Sequence, residues 1–448
     1  MSGPFRLPTG GLIDRTRTVR FRFDGLHFEG HPGDTLASAL LANGVTLLGR
    51  SFKYHRPRGV FTAGPEEPSA LVELGRDGRR EPNLRATTVE LHDGLDAQSQ
   101  HRWSSLRHDI GAINQRLSRF LPAGFYYKTF KWPSAFWERV YEPIIRRAAG
   151  LGTAASEPDP DHYEHRHAHC DVLIVGGGPA GLAAALAAGR AGARVLLLEQ
   201  DAMLGASLVG GVEASAWRTA VSDELGCLAE TRLLARTTAV ALYDHNVVGA
   251  VERVADHLPE VPSTGVRQRF WTIRAREIVL ATGAIERLIA FPDNDRPGVM
   301  LSSAGRILAA RYGVAVGTSP VLFTNNDEAY DAAFALHHAG VGMRAIVDVR
   351  ASSAAADRAE ALGIELRRGA EVIGVGGRLR VASVDVRKRN GGGTARIAAD
   401  ALLISGGFTP NVQLASMTRA KLAWSAGIAA YVPGPPIQRE RSAGAARG

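Results

Sequence analysis

Between Asp171 and Gln200 the sequence DVLIVGGGPAGLAAALAAGRAGARVLLLEQ sets out residues of the kind that hold a phosphate chain. Gly176-Gly177-Gly178-Pro179-Ala180-Gly181 has the G-x-G-x-x-G spacing. In that pattern Gly176 permits a tight turn, Gly178 lets the backbone approach a pyrophosphate, and Gly181 lets helix and strand pack closely. Glu199 follows 18 positions after Gly181. A carboxylate there accepts hydrogen bonds from the ribose hydroxyls of an adenosine and repels a 2′-phosphate. The chemistry these residues point to is binding of a dinucleotide.

Other small-residue turns could meet the same ligand. They are Gly205-Ala206-Ser207, the Ala281-Thr282-Gly283 that ends a buried run, and the Gly406-Gly407 that ends the run Ala401 to Gly407. Val240, within a strand expected over Arg232 to Leu242, could reach the adenine. His165, His167 and His169 beside Cys170 alternate as metal ligands can. With no further ligand cluster in the chain they read as a solvated lead-in strand, and no metal is expected. The two cysteines, Cys170 and Cys227, make neither a disulfide framework nor a C-x-x-C pair.

The elements that position these residues read as an α/β fold. Val172 to Val175 is a strand, Leu182 to Arg190 a helix whose N-terminus faces the phosphates, and Arg194 to Leu198 the next strand. Near Pro320 a second βαβ unit begins, with strand Val321 to Thr324, helix Glu328 to His338 and strand Ala345 to Val349. Its turn is Asn325-Asn326-Asp327, which lacks glycine and sets a negative charge where a phosphate would lie, so this site is expected to be lost. Upstream, Val19 to Phe23 alternates strictly, Asp24-Gly25 is a hairpin turn, and Leu26 to Glu29 returns. A helix capped by Asp34 or Thr35 runs through Ala42. Hairpin then helix begins the ubiquitin-like fold of plant-type ferredoxins, but no cysteine follows to hold a cluster. Further strands are expected at Ala70 to Leu74 and Thr87 to Leu91. Phe125 to Tyr141 holds eight of the chain's thirty aromatics, suiting either a packed arm or a subunit interface.

The expected division is a ferredoxin-like domain over 15–95, an aromatic-rich connecting segment over 96–168, a dinucleotide domain over 169–317 and 395–430, a degenerate second nucleotide domain over 318–394, and a truncated tail over 431–448. The net charge is +8 from 53 basic residues, few of them lysine. No basic block carries a nucleic-acid reading motif, so the excess reads as a solvated surface or a face toward an acidic partner. No apolar run approaches a membrane span and no signal peptide is legible, so a soluble cytoplasmic protein is expected.

The strings RSFKYHRPRGVFTAG (50–64), PAGFYYKTF (122–130), HCDVLIVGGGPAGLAAA (169–185), ATGAIER (281–287), NDRPGVML (294–301) and TNNDEAY (324–330), in this order, resemble the α subunits of heterotetrameric sarcosine oxidases. The likeness covers nearly the whole chain but about the amino-terminal half of the family's α subunit. It implies a two-dinucleotide-domain, disulfide-reductase-like Rossmann fold behind a cluster-free ferredoxin-like domain. It implies an oxidoreductase subunit serving oxidative demethylation of sarcosine to glycine, with oxygen reduced to hydrogen peroxide. FAD would lie in a β subunit, FMN at the α–β interface, and small γ and δ subunits would complete the complex. NAD would sit in this chain against Ala180, Glu199, Gln200, Asp201, Ser207, Val240, Gly407, Val412 and Leu414. Tetrahydrofolate would bind only in a carboxyl-terminal half that this sequence lacks. Gly205-Ala206 departs from a Gly-Gly pair common in relatives. Two rival readings are a self-contained FAD-dependent oxidoreductase and an inert scaffold; related opine- and hydroxyproline-oxidising complexes leave the amine open.

Overall fold

The computed structural model describes residues 3–121, 124, 132–209, 211–260 and 265–448. The chain forms two compact units, each built from separated stretches: Met1–Pro160 with Leu288–Gly406, and Asp161–Arg287 with Gly407–Gly448.

In the first unit the hairpin pairs Val19–Phe23 with Leu26–Gly30, Phe21 opposite Phe28. Asp24 and Gly25 both take positive φ, 50° and 80°, as a two-residue turn matched to strand twist requires. The helix Leu36–Ala42 is capped by Thr35, which accepts from the Ser38 amide while Ser38 Oγ accepts from the Thr35 amide. Its seven residues are all buried. The sheet runs Leu26–Gly30, Val19–Phe23, Asp96–Ser99, Leu71–Leu74, Glu81–Arg85.

Two expectations fail here. Asp96–Ser99 is the central strand, so this fold extends past residue 95. Its DAQS sequence has only Ala97 as an apolar marker, and its place is fixed by backbone pairing on both sides. Thr87 to Leu91 makes turns and one bridge, and the strand is Glu81–Arg85 instead. Pro82 is admissible there because the strand lies at the sheet's edge.

The same unit carries a parallel sheet in the order Val299–Leu301, Ala401–Ser405, Pro320–Thr324, Ala345–Asp348, Leu366–Arg368. The strand Ala401–Ser405 lies within the run 401–407 that the sequence assigns to the fingerprint domain. It inserts instead beside Pro320–Thr324, buried throughout. An apolar run buried on both faces fits the middle of either sheet, and periodicity does not say which. Leu36 and Leu40 of the ferredoxin-like helix share one core with Leu308, Tyr312, Ala333 and Leu336 of this second sheet's helices. Of the aromatic stretch, Phe125, Tyr126, Tyr127 and Phe130 lie outside the described residues. Trp132 is 84% exposed.

The second unit is organised on two long parallel strands, His162–Val175 and Val266–Leu280. Their second halves form the centre of a parallel sheet with Val195–Leu198 and Thr231–Leu234. Their first halves extend into an antiparallel meander with Val247–Arg253 and Thr237–Tyr243. The strand expected over Arg232 to Leu242 is thus two strands, broken at Arg236, which takes φ 54°. Residues 431–448, expected as a tail, are built into the fold. Ala430–Pro433 pairs with Leu422–Ser425, and Glu440–Ser442 runs parallel to Ile278–Leu280. Among the described residues no helix is long and apolar enough to cross a membrane.

Candidate dinucleotide site

The glycine turn leaves the strand His162–Val175 and enters the helix Pro179–Arg190, which has Gly178 as its N-cap and Pro179 in its first turn. Each glycine has its own reason. Gly176 takes φ 105°, and a Cβ there would lie 2.4 Å from the Ala281 carbonyl oxygen. A Cβ on Gly181 would lie 1.8 Å from the Gly176 carbonyl oxygen, so only glycine lets helix and strand close. At Gly178 the nearest atom to such a Cβ would be Ser207 Oγ at 3.8 Å, which leaves the backbone open on that side. Tight turn, close packing and open approach are what a pyrophosphate cradle requires.

Glu199 leaves the strand Val195–Leu198 and turns back onto the cradle. Its Oε2 accepts the Gly177 amide at 2.7 Å and its Oε1 the Asp201 amide at 2.7 Å. A carboxylate held by two backbone donors keeps a fixed direction. Asp201 in turn accepts from Met203, and the Gln200 carbonyl accepts from Arg253. The Gly205 amide donates to the Gly177 carbonyl at 2.8 Å, bringing the Gly205-Ala206-Ser207 turn against the cradle.

The other expected turns converge as well. Thr282 Oγ1 donates to the Asn411 carbonyl at 2.9 Å, and the Asn411 amide to the Gly283 carbonyl at 3.0 Å. Gly407, at φ 90°, accepts from the Arg287 amide. Val412 is the N-cap of the helix Gln413–Met417, whose Leu414 packs against the core beneath. That helix packs on Thr237–Tyr243, where Val240 sits at a bulge, 45% exposed. The Thr237 amide donates to the Glu199 carbonyl, tying this strand to the acidic end of the site.

Sequence reasoning missed one contributor. The Ala443 amide donates to the Leu280 carbonyl, and a Cβ on Gly444 would lie 2.6 Å from Ala180 Cβ. The small-residue run Ser442-Ala443-Gly444-Ala445-Ala446 was the available signal. His165, His167 and His169 lie on the solvated half of the fingerprint strand, His165 Nε2 2.9 Å from Thr272 Oγ1. Among the described residues no group of His, Cys, Asp and Glu is arranged to hold a metal. Burial pushes the Cys170 thiol up to about 12, away from thiolate chemistry.

Residues 170–430 match the family described as pyridine nucleotide-disulphide oxidoreductase. The chain belongs to that family. As a member of it, the chain is 52% identical over 99% of its length to sarcosine oxidase subunit alpha of Rhizobium meliloti, and spans 45% of that relative. It is 37% identical over its whole length to the sarcosine oxidase subunit alpha of a Corynebacterium, spanning 44% of it. The resemblance drawn from the sequence therefore holds from end to end, although the chain spans less than half the length of these relatives. The L-proline dehydrogenase of P. horikoshii superposes on 99% of this chain and 71% of its own, with TM-score 0.63 and 22% identity, which shows shared fold.

Residues 16–102 match a 2Fe-2S iron–sulfur cluster binding domain. The residues present do not fit a cluster, because the first cysteine of the chain is Cys170. Within this domain a carboxylate gathers the amides of one loop. Glu67, 1% exposed, accepts from the amides of Phe61 and Thr62 at 2.8 and 2.7 Å through Oε2, and from those of Ser69 and Ala70 at 2.7 and 3.0 Å through Oε1. Converging amides of this kind form an anion-binding concavity, and here the anion is part of the chain. Burial raises the Glu67 pKa, against the four amides that lower it.

The turn of the second nucleotide-type sheet is likewise filled from within. Asn326 donates to Ser405 Oγ and accepts from the Ala329 amide. Asp327 pairs with Arg350 at 2.6 Å, and Arg350 also forks onto the buried Asp348.

Proposed function

We propose that this chain is the nucleotide-holding α-type subunit of a sarcosine oxidase-type complex, an oxidoreductase acting on the CH–NH group of a secondary amine. The observation that carries the reading is the dinucleotide cradle in a chain 52% identical over 99% of its length to a sarcosine oxidase subunit alpha. In this reading the dinucleotide is NAD. Its pyrophosphate lies over Gly178 at the helix N-terminus, and its adenosine ribose hydroxyls donate to Glu199, whose charge disfavours a 2′-phosphate. Ser207, Thr282, Gly283 and the 407–412 turn close around it, with Val240 toward the adenine.

Flavin held by a partner subunit supplies the amine oxidation and the reduction of oxygen to peroxide. This chain binds and orients, and assigns no acid, base or nucleophile of its own to that reaction. FAD and FMN belong to the assembled complex and tetrahydrofolate to a further half; the setting is the cytoplasm. A self-contained thiol reductase is disfavoured because Cys170 and Cys227 are its only cysteines and the former is buried.

The test is to purify the chain, denature it and identify the released nucleotide. NAD without flavin is expected; stoichiometric FAD would overturn the reading. Co-expression with a flavin-bearing β-type subunit should then yield peroxide from sarcosine, and a complex turning over only another secondary amine would reassign the substrate.

A further inference from the structure

The first unit contains a cavity of about 800 Å³ that the dinucleotide does not account for. Its size is that of a small-molecule site. Six guanidinium groups line it against two carboxylates, those of Asp109 and Asp295.

Both carboxylates are already engaged. Asp295 takes a two-pronged contact from Arg56, at 2.8 and 2.7 Å, and a third from Arg58 at 2.9 Å. Asp109 bonds the buried His55 at 2.7 Å and the amides of Trp103 and Gly111. Arg50 forms the floor. Its side chain is 4% exposed, it is fixed by the carbonyls of Leu106 and His55, and it stands 3.8 Å from Asp109. Arg296 donates through Nη2 to Asp293, while its Nε is buried without an acceptor. At the mouth, Arg107, Arg116 and Arg378 are exposed and form no ion pair among the described residues. Burial and the nearby Arg378 hold the Arg50 guanidinium below its usual range.

A charged face normally disperses its like charges into solvent. Here three arginines that form no ion pair among the described residues converge on one opening over a fixed fourth. Guanidinium forks match the oxygens of phosphate and carboxylate in pairs. We propose that this cavity binds a small-molecule polyanion carrying two or more phosphate or carboxylate groups. The floor arginine and its carbonyl supports give the site its shape, and the three at the mouth give it affinity.

The experiment is calorimetric titration of the full chain, its cradle saturated with NAD, using inorganic pyrophosphate and citrate as probes. One-site binding at roughly millimolar or tighter is expected for at least one probe. Pyrophosphate alone would identify a phosphorylated ligand and citrate alone a polycarboxylate. Arg378→Glu and Arg107→Glu, both at exposed positions, should each weaken binding about tenfold or more, with circular dichroism and thermal midpoint unchanged. Arg85→Glu, exposed on the edge strand away from the cavity wall, should leave it unaltered. Failure of both probes to bind, or binding indifferent to the two mouth variants, overturns the proposal. Binding by the free chain that vanishes in the assembled complex overturns it too, and makes the mouth a partner-docking surface.

Discussion

Gly178 and Gly181 stand three residues apart and should answer the same substitution in opposite ways. A methyl at Gly181 meets the Gly176 carbonyl at 1.8 Å, whereas at Gly178 the nearest atom is 3.8 Å away. Gly181→Ala must therefore push the helix off its strand, and overpacking of that kind costs about 1–3 kcal/mol. Gly178→Ala leaves the fold intact and places its methyl where the ligand's phosphate would lie. Thermal unfolding should show a lowered midpoint for the first variant and a nearly unchanged one for the second. Dinucleotide titration should show the second to have lost at least about tenfold in affinity, some 1.4 kcal/mol. Equal stability losses for the two would show that the open side of Gly178 has been misassigned. Glu199 belongs to the same argument, since its two amide bonds make its direction a property of the backbone.

At the scale of elements, the loop from Phe61 to Ala70 is held by one side chain. Replacing Glu67 by Gln keeps the shape but turns an amide NH₂ toward backbone donors, whichever way the side chain flips. Two acceptor contacts are lost and buried amides are left unpaired, at about 1–3 kcal/mol each. Urea unfolding of Glu67→Gln should show a loss of about 2 kcal/mol or more; a change within 0.5 kcal/mol, the range of neutral surface substitutions, would mean water serves those amides as well.

Nothing in the sequence announced this residue, because a glutamate in a polar loop reads as solvated and burial of an acid depends on partners brought in by the fold. The same boundary separates what else was legible from what was not. The hairpin at Asp24-Gly25, the Thr35 cap and the glycine turn at Gly176 are local devices and stood where expected. Asp96–Ser99, the pairing of Ala401–Ser405 and the strand Glu440–Ser442 are fixed by neighbours distant in sequence, and no pattern within four or five residues names a distant neighbour. In the candidate site, the glycine turn and the place of Glu199 at the end of its strand were legible, and the Gly444 turn, which a distant pairing delivers, was not.

For the whole molecule, the dinucleotide should act on one unit and leave the other alone. The cradle, Glu199, the Thr282–Asn411 contact and the Gly444 turn all belong to Asp161–Arg287 with Gly407–Gly448. That unit has its own cores, one around Leu173, Trp271 and Leu280 and one around Leu182, Leu197 and Leu225. The ferredoxin-like sheet and the second parallel sheet share a different core. A ligand bound only by the native state stabilises what it touches by about 4 kcal/mol at a thousandfold excess over its dissociation constant. Amide exchange measured with and without saturating NAD should therefore slow in Val172–Val175, Val195–Leu198 and Ile278–Leu280, where exchange follows opening of the unit that carries the cradle. It should not slow in Val19–Phe23 or Leu36–Ala42. The chain passes between the units three times, at 160–161, 287–288 and 406–407. If those crossings made the units unfold as one, protection would spread to the ferredoxin-like strands by the same factor. That result would show a single cooperative molecule in place of a nucleotide-stabilised unit joined to an independent one.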